Sequence, residues 1–378
     1  MILPAVAGLL IIVAVLLEAF ETVILPRRVT RRFRFTVLFY RSTWRPWRAI
    51  ARKTRNTRLR ETFLSYFGPL SLLFLFVVYA ILLVVGFGLL YFSASSRSAA
   101  PWPFWTAAYL SGTTFFTLGL GDVIPHSSPE RVLAVMESGL GFGFLALVLS
   151  YLPVIYQAFS RREVNVVLLD ARAGSPPTAA ELLRRHSGEH GLDALRQLLH
   201  DWERSAAEIL ESHISYPVVS YFRSQHNNES WLGALGALLD ATALLISHVD
   251  DPCSRQARLT FAMCRHTVVD LAQVFHTSPL VAPVDRLPDA ERIRMQKVLT
   301  KAGFPMIDTP AAHAKLAELR GMYEPYLQAL AAFLYIELPP WILAKEVTDN
   351  WKTSAWGRIT GFSTPVNDED GSRDDHDI

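Results

Sequence analysis

Three long, mostly apolar stretches alternate with polar segments in the first 160 positions of the chain. They lie at residues 2–25, within residues 62–96, and from about residue 131 to residue 160. A helix needs about 20 apolar residues to cross a bilayer, so each stretch is long enough for one transmembrane helix. The first stretch lacks the basic start and the small-residue cleavage site of a signal peptide, so we expect it to remain as a helix.

The rest of the chain has a different pattern, in which leucines and other apolar residues recur at helical spacing. These repeats cover residues 182–202, 231–249 and 316–336, and short breaks contain proline at positions 176, 217, 252 and 279. The pattern predicts a compact all-α domain over about residues 178–345. Residues 163–171 fit either a short strand or a continuation of the third apolar helix.

Composition and charge support this division of the chain. Of the 378 residues, 51% are hydrophobic and 19% are charged, and soluble domains carry about 25% charged residues. Residues 1–159 hold 15 Lys and Arg against 6 Asp and Glu, a net charge of +9, whereas residues 160–378 hold 22 against 29, or −7. Two cysteines are too few for a disulfide-rich secreted protein. The first half is therefore typical of a membrane protein and the second of a soluble one.

The segment between the first two apolar stretches is strongly basic. Between Arg27 and Arg60 there are thirteen basic residues and no acidic one, and Arg161 and Arg162 follow the third stretch. Positive charge favours the cytoplasmic side, so we expect three spans in the plasma membrane, such as a bacterial inner membrane, with the C-terminus in the cytoplasm. Aromatic residues interleave with the arginines, which favours an interfacial helix on anionic lipid over nucleic-acid binding.

A distinct motif lies in the outer connection between the second and third apolar stretches. Residues 104–116 predict a helix of about three turns, too short to cross a bilayer, and the sequence Thr117-Leu118-Gly119-Leu120-Gly121-Asp122 follows it. Glycines two positions apart allow backbone conformations that turn successive carbonyls the same way. Four such segments around an axis would form rings of oxygens that replace the hydration shell of a cation.

An outer helix, a half-length helix, T-x-G-x-G-D and an inner helix together resemble the potassium-channel family, over about residues 68–157. The resemblance implies a homotetramer in which Thr117, Leu118, Gly119, Leu120 and Gly121 coordinate K⁺ as the permeant ion, with Asp122 at the outer mouth. The usual filter of the family is TVGYGD, so two leucines replace its Val and Tyr. The coordinating backbone carbonyls remain, but the outward packing of the Tyr is lost. A weakly selective cation channel is therefore the alternative to a K⁺-selective one.

The third apolar stretch contains several residues that are unfavourable inside a helix. Glycine there costs up to about 1 kcal/mol relative to alanine, so Gly139, Gly141 and Gly143 need a physical reason. Either they allow close helix packing, or Gly141 and its neighbours form a gating hinge, close to the position where the channel family often has one. Pro153, near the cytoplasmic end, predicts a kink that shapes the gate.

Acidic residues within the apolar stretches are candidates for functional roles. We expect Glu137, near the outer end of the third stretch, to support the filter from behind, together with Thr113 of the short helix. The alternative for Glu137 is an ion pair with Arg131. The two acids of the first stretch, Glu18 among them, are expected to pair with an arginine at position 27 or 28.

These expectations combine into an all-α membrane protein with three transmembrane helices, a re-entrant pore loop and a cytoplasmic helical domain. The expected divisions are residues 1–26 for the N-terminal helix, 27–66 for the basic segment, 67–160 for the pore domain, 161–350 for the helical domain and 351–378 for an acidic disordered tail. No nucleophile–base set, metal cluster or nucleotide-binding loop in the sequence supports an enzyme or a resident cofactor. We expect the helical domain to assemble the tetramer or to respond to an unidentified cytoplasmic ligand. The alternative function is a membrane-anchored sensor with a non-conducting pore.

Overall fold

The computed structural model is helical wherever it describes a regular element. It describes residues 2–24, 35–95, 101–188, 190–225, 228–250, 253–281 and 284–345. These described residues contain no β-strand, so the all-α prediction is confirmed for them. The chain divides into two compact units, residues 1–157 and residues 158–378, and the division falls within a long helix. The predicted acidic tail at 351–378 lies outside the described residues.

The first unit consists of apolar helices and two shorter amphipathic ones. Their bounds are Ile2–Ala19 for α1, Phe35–Lys53 for α2, Thr57–Ser65 for α3, Phe67–Ser95 for α4, Phe104–Phe115 for α5 and Ser128–Ala173 for α6. A π-helical turn, Phe20–Ile24, follows α1. Helix α6 continues into the second unit and includes residues 163–171, so the strand alternative for those residues is wrong.

Helices α1 and α4 pack closely at a pair of glycines. A Cβ atom on Gly8 would lie 2.5 Å from the carbonyl oxygen of Gly86, and one on Gly86 would lie 2.7 Å from a side-chain carbon of Ile12. A larger residue at either position would force the two helices apart. A Cβ on Gly88 of α4 would likewise lie 3.1 Å from the Cα of Ala108 in α5. Small residues thus hold both α1 and the half-length helix α5 against α4.

A buried carboxylate of α1 connects three helices. Glu18 is 3% exposed, and its oxygens accept hydrogen bonds from the backbone N–H groups of Phe35 at 3.0 Å and Thr36 at 3.3 Å, and from the Thr36 hydroxyl at 2.9 Å. These N–H groups begin α2, where a helix carries partial positive charge. The Thr36 hydroxyl also lies 3.0 Å from the hydroxyl of Tyr79 in α4. The arginines expected to pair with Glu18 lie outside the described residues.

Helix α2 packs its aromatic side chains along the first half of α4. The Phe39 ring lies 5.5 Å from the Phe74 ring, and the Trp44 ring lies 4.7 Å from the Phe67 ring. Higher residue numbers in α2 meet lower numbers in α4, so the two helices run antiparallel along this contact. The basic segment therefore contains an amphipathic helix with one face covered by α4.

Four helices in the described part of the chain are long and apolar enough to cross a membrane. They are Ile2–Val23, Thr57–Ser95, Ser128–Ala173 and Trp231–His248. The first three coincide with the predicted apolar stretches. The most apolar part of the fourth is 89% buried inside the protein, against 28%, 50% and 11% for the others in chain order. Burial on all sides is the environment of a core helix.

The second unit is arranged around this buried helix. Its helices are α7 (Ala179–Arg185), α8 (Gly191–Ser215), α9 (Trp231–His248), α10 (Cys253–Val274), α11 (Asp289–Lys301) and α12 (Pro310–Leu334), with a 3₁₀ turn at Pro217–Tyr221. Helix α9 packs against α7, α10 and α12. The side chains of Cys253 and Cys264 are buried in α10 and are not joined in a disulfide.

A buried ionic cluster fixes α9 to α12. Asp240 of α9 is fully buried and accepts hydrogen bonds from Arg286 at 2.6 Å and from the Tyr323 hydroxyl at 2.5 Å. Arg286 also pairs with Glu324 at 3.1 Å and donates to the Pro339 carbonyl at 2.8 Å. Buried charges require such partners because an unpaired charge away from water is costly. The cluster therefore selects one arrangement of these helices.

A second buried cation fixes the beginning of the second unit. Arg162 of α6 is 2% exposed, pairs with Glu163 at 2.9 Å, and donates hydrogen bonds to the carbonyl oxygens of Val219 at 3.0 Å and Phe222 at 2.8 Å. Its Nη1 atom lies 3.2 Å from Nε2 of the buried His213. The last part of α6 is thereby joined to α8 and to the 3₁₀ turn.

Candidate functional site

The half-length helix α5 is the element that positions the loop motif. It covers Phe104–Phe115, one residue shorter than predicted, and Pro103 precedes it as the N-cap with extended backbone. Proline suits the start of a helix because it lacks the N–H that the first turn leaves unpaired. At 1.5 Å per residue α5 is about 18 Å long, well short of the roughly 30 Å of a bilayer core. The helix is therefore too short to cross a bilayer by itself.

The end of α5 is also where the following loop is attached. We call residues 117–122 the glycine loop. The Thr113 carbonyl accepts hydrogen bonds from the N–H groups of Leu118 at 2.8 Å and Gly119 at 3.4 Å, while the Thr113 hydroxyl donates to the Leu110 carbonyl at 3.0 Å. Thr113, predicted as a supporting residue, thus contacts the loop through its backbone.

The glycine loop has an alternating backbone. Thr117, Gly119 and Gly121 have φ values of 56°, 58° and 79°, whereas Leu118 and Leu120 are not in the positive-φ region. Glycine adopts positive φ readily, while for Thr117 the left-handed conformation costs roughly 1–2 kcal/mol. Alternation between left-handed and right-handed residues turns successive peptide groups to the same side. Such a backbone can present a row of carbonyl oxygens along one side.

In the single chain the glycine loop is uncovered. The side chains of Phe116, Leu118 and Leu120 are 60%, 61% and 63% exposed. A Cβ atom on Gly119 or Gly121 would meet nothing within 4 Å. The loop is therefore held from behind by α5 and open on its other sides.

A hydrogen bond connects the far end of the glycine loop back to α5. The Tyr109 hydroxyl donates to Oδ2 of Asp122 at 2.8 Å. This hydrogen bond joins Asp122, the residue predicted at the outer mouth, to α5. It also places a tyrosine hydroxyl beside the loop, although the tyrosine of the usual filter is replaced by Leu120. Tyr109 was not predicted from the sequence, where it is the single tyrosine between residues 104 and 116.

A buried polar contact joins α5 to α6 behind the glycine loop. Glu137 of α6 and Ser111 of α5 are both fully buried, and the Ser111 hydroxyl hydrogen-bonds Oε1 of Glu137. The same hydroxyl lies 2.8 Å from the Val84 carbonyl of α4, so three helices meet at this point. Arg131 instead donates to the Pro125 carbonyl at 3.4 Å, and the alternative pairing of Glu137 with Arg131 is wrong. Ser111 was not predicted; it lies on α5 six residues before the loop.

The three glycines of α6 differ in their surroundings. A Cβ atom on Gly141 would lie 2.0 Å from the carbonyl oxygen of Phe115, the last residue of α5. No neighbouring atom lies within 4 Å of a Cβ built on Gly139 or Gly143. Close packing therefore accounts for Gly141, and a hinge at this position remains a prediction. Pro153 lies inside α6, which the structure describes as one helix.

Comparison with known proteins bears directly on this arrangement. Residues 74–157 match the family described as ion channel, a segment that begins within α4, includes α5 and the glycine loop, and ends within α6. This segment is similar to the ion-channel family. The resemblance to pore-loop channels that was drawn from the sequence is confirmed for these residues.

A second similarity extends beyond the ion-channel domain. Over 255 residues the chain is 23% identical to an uncharacterized membrane protein of Bacillus subtilis (strain 168), YdjJ, covering 65% of this chain and 71% of that protein. No solved structure matches the chain. The protein is thus a membrane protein with an ion-channel domain, and such a domain indicates ion transport.

Proposed function

We propose that four copies of this chain surround a central pore that conducts K⁺ passively across the membrane. The observation that carries the proposal is the alternating backbone of the glycine loop, with positive φ at Thr117, Gly119 and Gly121 directly after a half-length helix. Four such loops around one axis would stack rings of carbonyl oxygens that replace the hydration shell of K⁺. K⁺ is the permeant ion in this proposal, and no other cofactor takes part.

The need for several copies follows from the exposure of the loop. Leu118 and Leu120 are more than 60% exposed in one chain, and one chain supplies one loop. Neighbouring copies would cover these leucines and direct the carbonyls toward a shared axis. A closed ring of identical subunits is a usual form of homo-oligomers built on one axis.

One further feature favours a cation over an anion, and a second supports selectivity among cations. The C-terminal end of α5, which carries partial negative charge, would point toward the cavity below the loop. The contact of Tyr109 with Asp122 limits movement of the loop relative to α5, and that of Ser111 with Glu137 limits movement of α5 relative to α6. These contacts compensate in part for the packing of the tyrosine that the usual filter has at the position of Leu120. A weakly selective cation channel is the variant of this function that the leucines favour.

The proposed topology uses three of the four apolar helices. Helices α1, α4 and α6 would span the plasma membrane, and α9 would be the core of a cytoplasmic helical domain, because neighbouring helices enclose it. The basic residues between Arg27 and Arg60 would then lie on the cytoplasmic side. We further propose that a ligand of the helical domain gates the pore through α6, with bending near Gly141 or Pro153.

The test is ion flux from liposomes that contain the purified protein under opposed K⁺ and Na⁺ gradients. Gly119→Asp places a charged side chain at a positive-φ position of the loop and is expected to abolish flux. Gly303→Asp is the matched control, because Gly303 also has positive φ (81°), would have nothing within 4 Å of an added Cβ, and lies in the second unit. We expect the control to conduct like the wild type.

The reversal potential then separates the candidate functions. A value close to the K⁺ equilibrium potential supports a selective channel, and a value close to zero with the same sensitivity to Gly119→Asp supports a weakly selective one. Flux that survives Gly119→Asp would refute conduction through this loop. An absence of flux from both the full chain and a version lacking residues 161–378 would favour the membrane-anchored sensor.

A further inference from the structure

Four arginines of α2 form one stripe along the helix. Arg41, Arg45, Arg48 and Arg52 are spaced so that, at about 100° per residue, their side chains fall within an arc of about 60°. They extend over about 16 Å of the helix axis at 1.5 Å per residue. Arg41, Arg45 and Arg52 are exposed, and Arg48 is half-buried. We call this face the arginine stripe.

The surroundings of α2 place this stripe at the end of an apolar region. Leu38 lies three residues before Arg41 on the same face and is 52% exposed. The covered face of α2 contacts α4 from Phe74 toward Phe67, the beginning of that apolar helix. One face of α2 thus changes from apolar to basic as the helix runs toward the start of α4. This order is typical of a helix that passes from hydrocarbon into the headgroup region.

Two arginines of the stripe, Arg41 and Arg45, have no acidic partner among the described residues. Residues 27–60 contain thirteen basic residues and no acidic one. Each guanidinium presents several N–H donors in a planar fork that matches a phosphate. A row of such groups beside an apolar surface suits a row of phosphodiester headgroups.

We propose that the arginine stripe binds the headgroups of anionic phospholipids in the adjacent leaflet. Glu18 and Thr36 fix the beginning of α2 to α1 and α4, so the stripe keeps one orientation relative to these helices. The lipid phosphates would contact Arg41 and Arg45 first, since these lie nearest the apolar end. This inference concerns lipid binding alone and does not rest on conduction by the glycine loop.

The test measures binding to the full-length protein in a nonionic detergent. A fluorescent phosphatidylglycerol probe is displaced with dioctanoyl phosphatidylglycerol or, separately, with dioctanoyl phosphatidylcholine. Each basic side chain near an anionic surface is worth roughly fivefold in affinity, so the double variant Arg41→Gln/Arg45→Gln is expected to bind phosphatidylglycerol about 30-fold more weakly. The charge-preserving variant Arg41→Lys/Arg45→Lys loses the planar fork but keeps the charge, so we expect it to bind phosphatidylglycerol more tightly than the glutamine variant and more weakly than the wild type. Its retained binding would show that the loss in the glutamine variant is not a loss of folding.

A matched control removes the same charge elsewhere. Arg204 and Arg258 are exposed arginines of the second unit, and Arg204→Gln/Arg258→Gln is expected to bind phosphatidylglycerol like the wild type. Equal losses in the two glutamine double variants would overturn the proposal, because the effect would then be one of net charge. Displacement of the probe by phosphatidylcholine, inorganic phosphate or a short RNA as effectively as by phosphatidylglycerol would overturn it too.

Discussion

Replacing Gly141 by alanine tests whether glycine is required at this position for α6 to pack against α5. A Cβ at this position would lie 2.0 Å from the Phe115 carbonyl oxygen, and contacts of real Cβ atoms essentially never fall below 3.0 Å, so α5 and α6 would have to separate by about 1 Å. Overpacking costs about 1–3 kcal/mol, and the upper end applies because the atom that must move belongs to the backbone. Inside a helix alanine is more favourable than glycine by up to about 1 kcal/mol, which offsets part of this cost. The expected net loss is about 2 kcal/mol of unfolding free energy.

The assay is unfolding by SDS in mixed micelles, followed by circular dichroism, with flux from liposomes measured in parallel. Gly139→Ala and Gly143→Ala are the matched controls, because a Cβ at either position meets nothing within 4 Å. We expect these two variants to be as stable as the wild type or more so, with a gain of up to about 1 kcal/mol. For Gly141→Ala we expect both lower stability and lower flux, since Phe115 lies at the end of α5, just before the glycine loop. Wild-type stability in Gly141→Ala, with altered opening of the pore alone, would refute the packing argument and favour a hinge.

Three further predictions concern contacts on both sides of the unit boundary. Arg162→Leu leaves the carbonyls of Val219 and Phe222 without their donor, so we expect the free energy of unfolding, measured by thermal denaturation, to fall by about 3–5 kcal/mol. Arg161→Leu, at the exposed neighbouring position, should leave this free energy nearly unchanged. Burial and the adjacent guanidinium hold the pKa of His213 well below 6.5. The unfolded chain therefore takes up a proton that the folded one rejects, and the melting temperature should fall as the pH is lowered below 6.5, less steeply in His213→Gln. Tyr109→Phe removes the donor to Asp122, and the reversal potential should move away from the K⁺ equilibrium value while α5 stays folded.

The long apolar runs of the sequence were sufficient to predict most elements of the first unit. The three apolar stretches correspond to α1, α4 and α6, and the short helix predicted at 104–116 is α5 at Phe104–Phe115. Length and composition dominate here, because a long uncharged run has few alternatives to a helix. The same criterion also selects Trp231–His248, which is shorter and less apolar than the other three and is enclosed by neighbouring helices.

The contacts between helices were less predictable. The Ser111–Glu137 and Tyr109–Asp122 hydrogen bonds depend on how α5 is rotated against α6 and the glycine loop, and periodicity carries little of that information when both helices are apolar on all sides. Glu18 was assigned to an arginine because opposite charges close in sequence are the simplest partners. In the described structure its carboxylate accepts hydrogen bonds from the N–H groups that begin α2, a contact that periodicity and charge did not predict, while the arginines at positions 27 and 28 lie outside the described residues.

The contacts of Glu18 have a consequence for the order in which the protein is made. Synthesis proceeds from the N-terminus, so Glu18 reaches the membrane before Thr36 and Tyr79 exist. A carboxylate within an apolar helix is unfavourable until hydrogen-bond donors are available, and three donor groups of Glu18 among the described residues belong to the beginning of α2. In the proposed topology, we therefore expect the first apolar helix to become more stable in the membrane once α2 has been synthesised, and α4 then joins the contact through Tyr79. We expect assembly of the first unit to be cooperative over its first eighty residues.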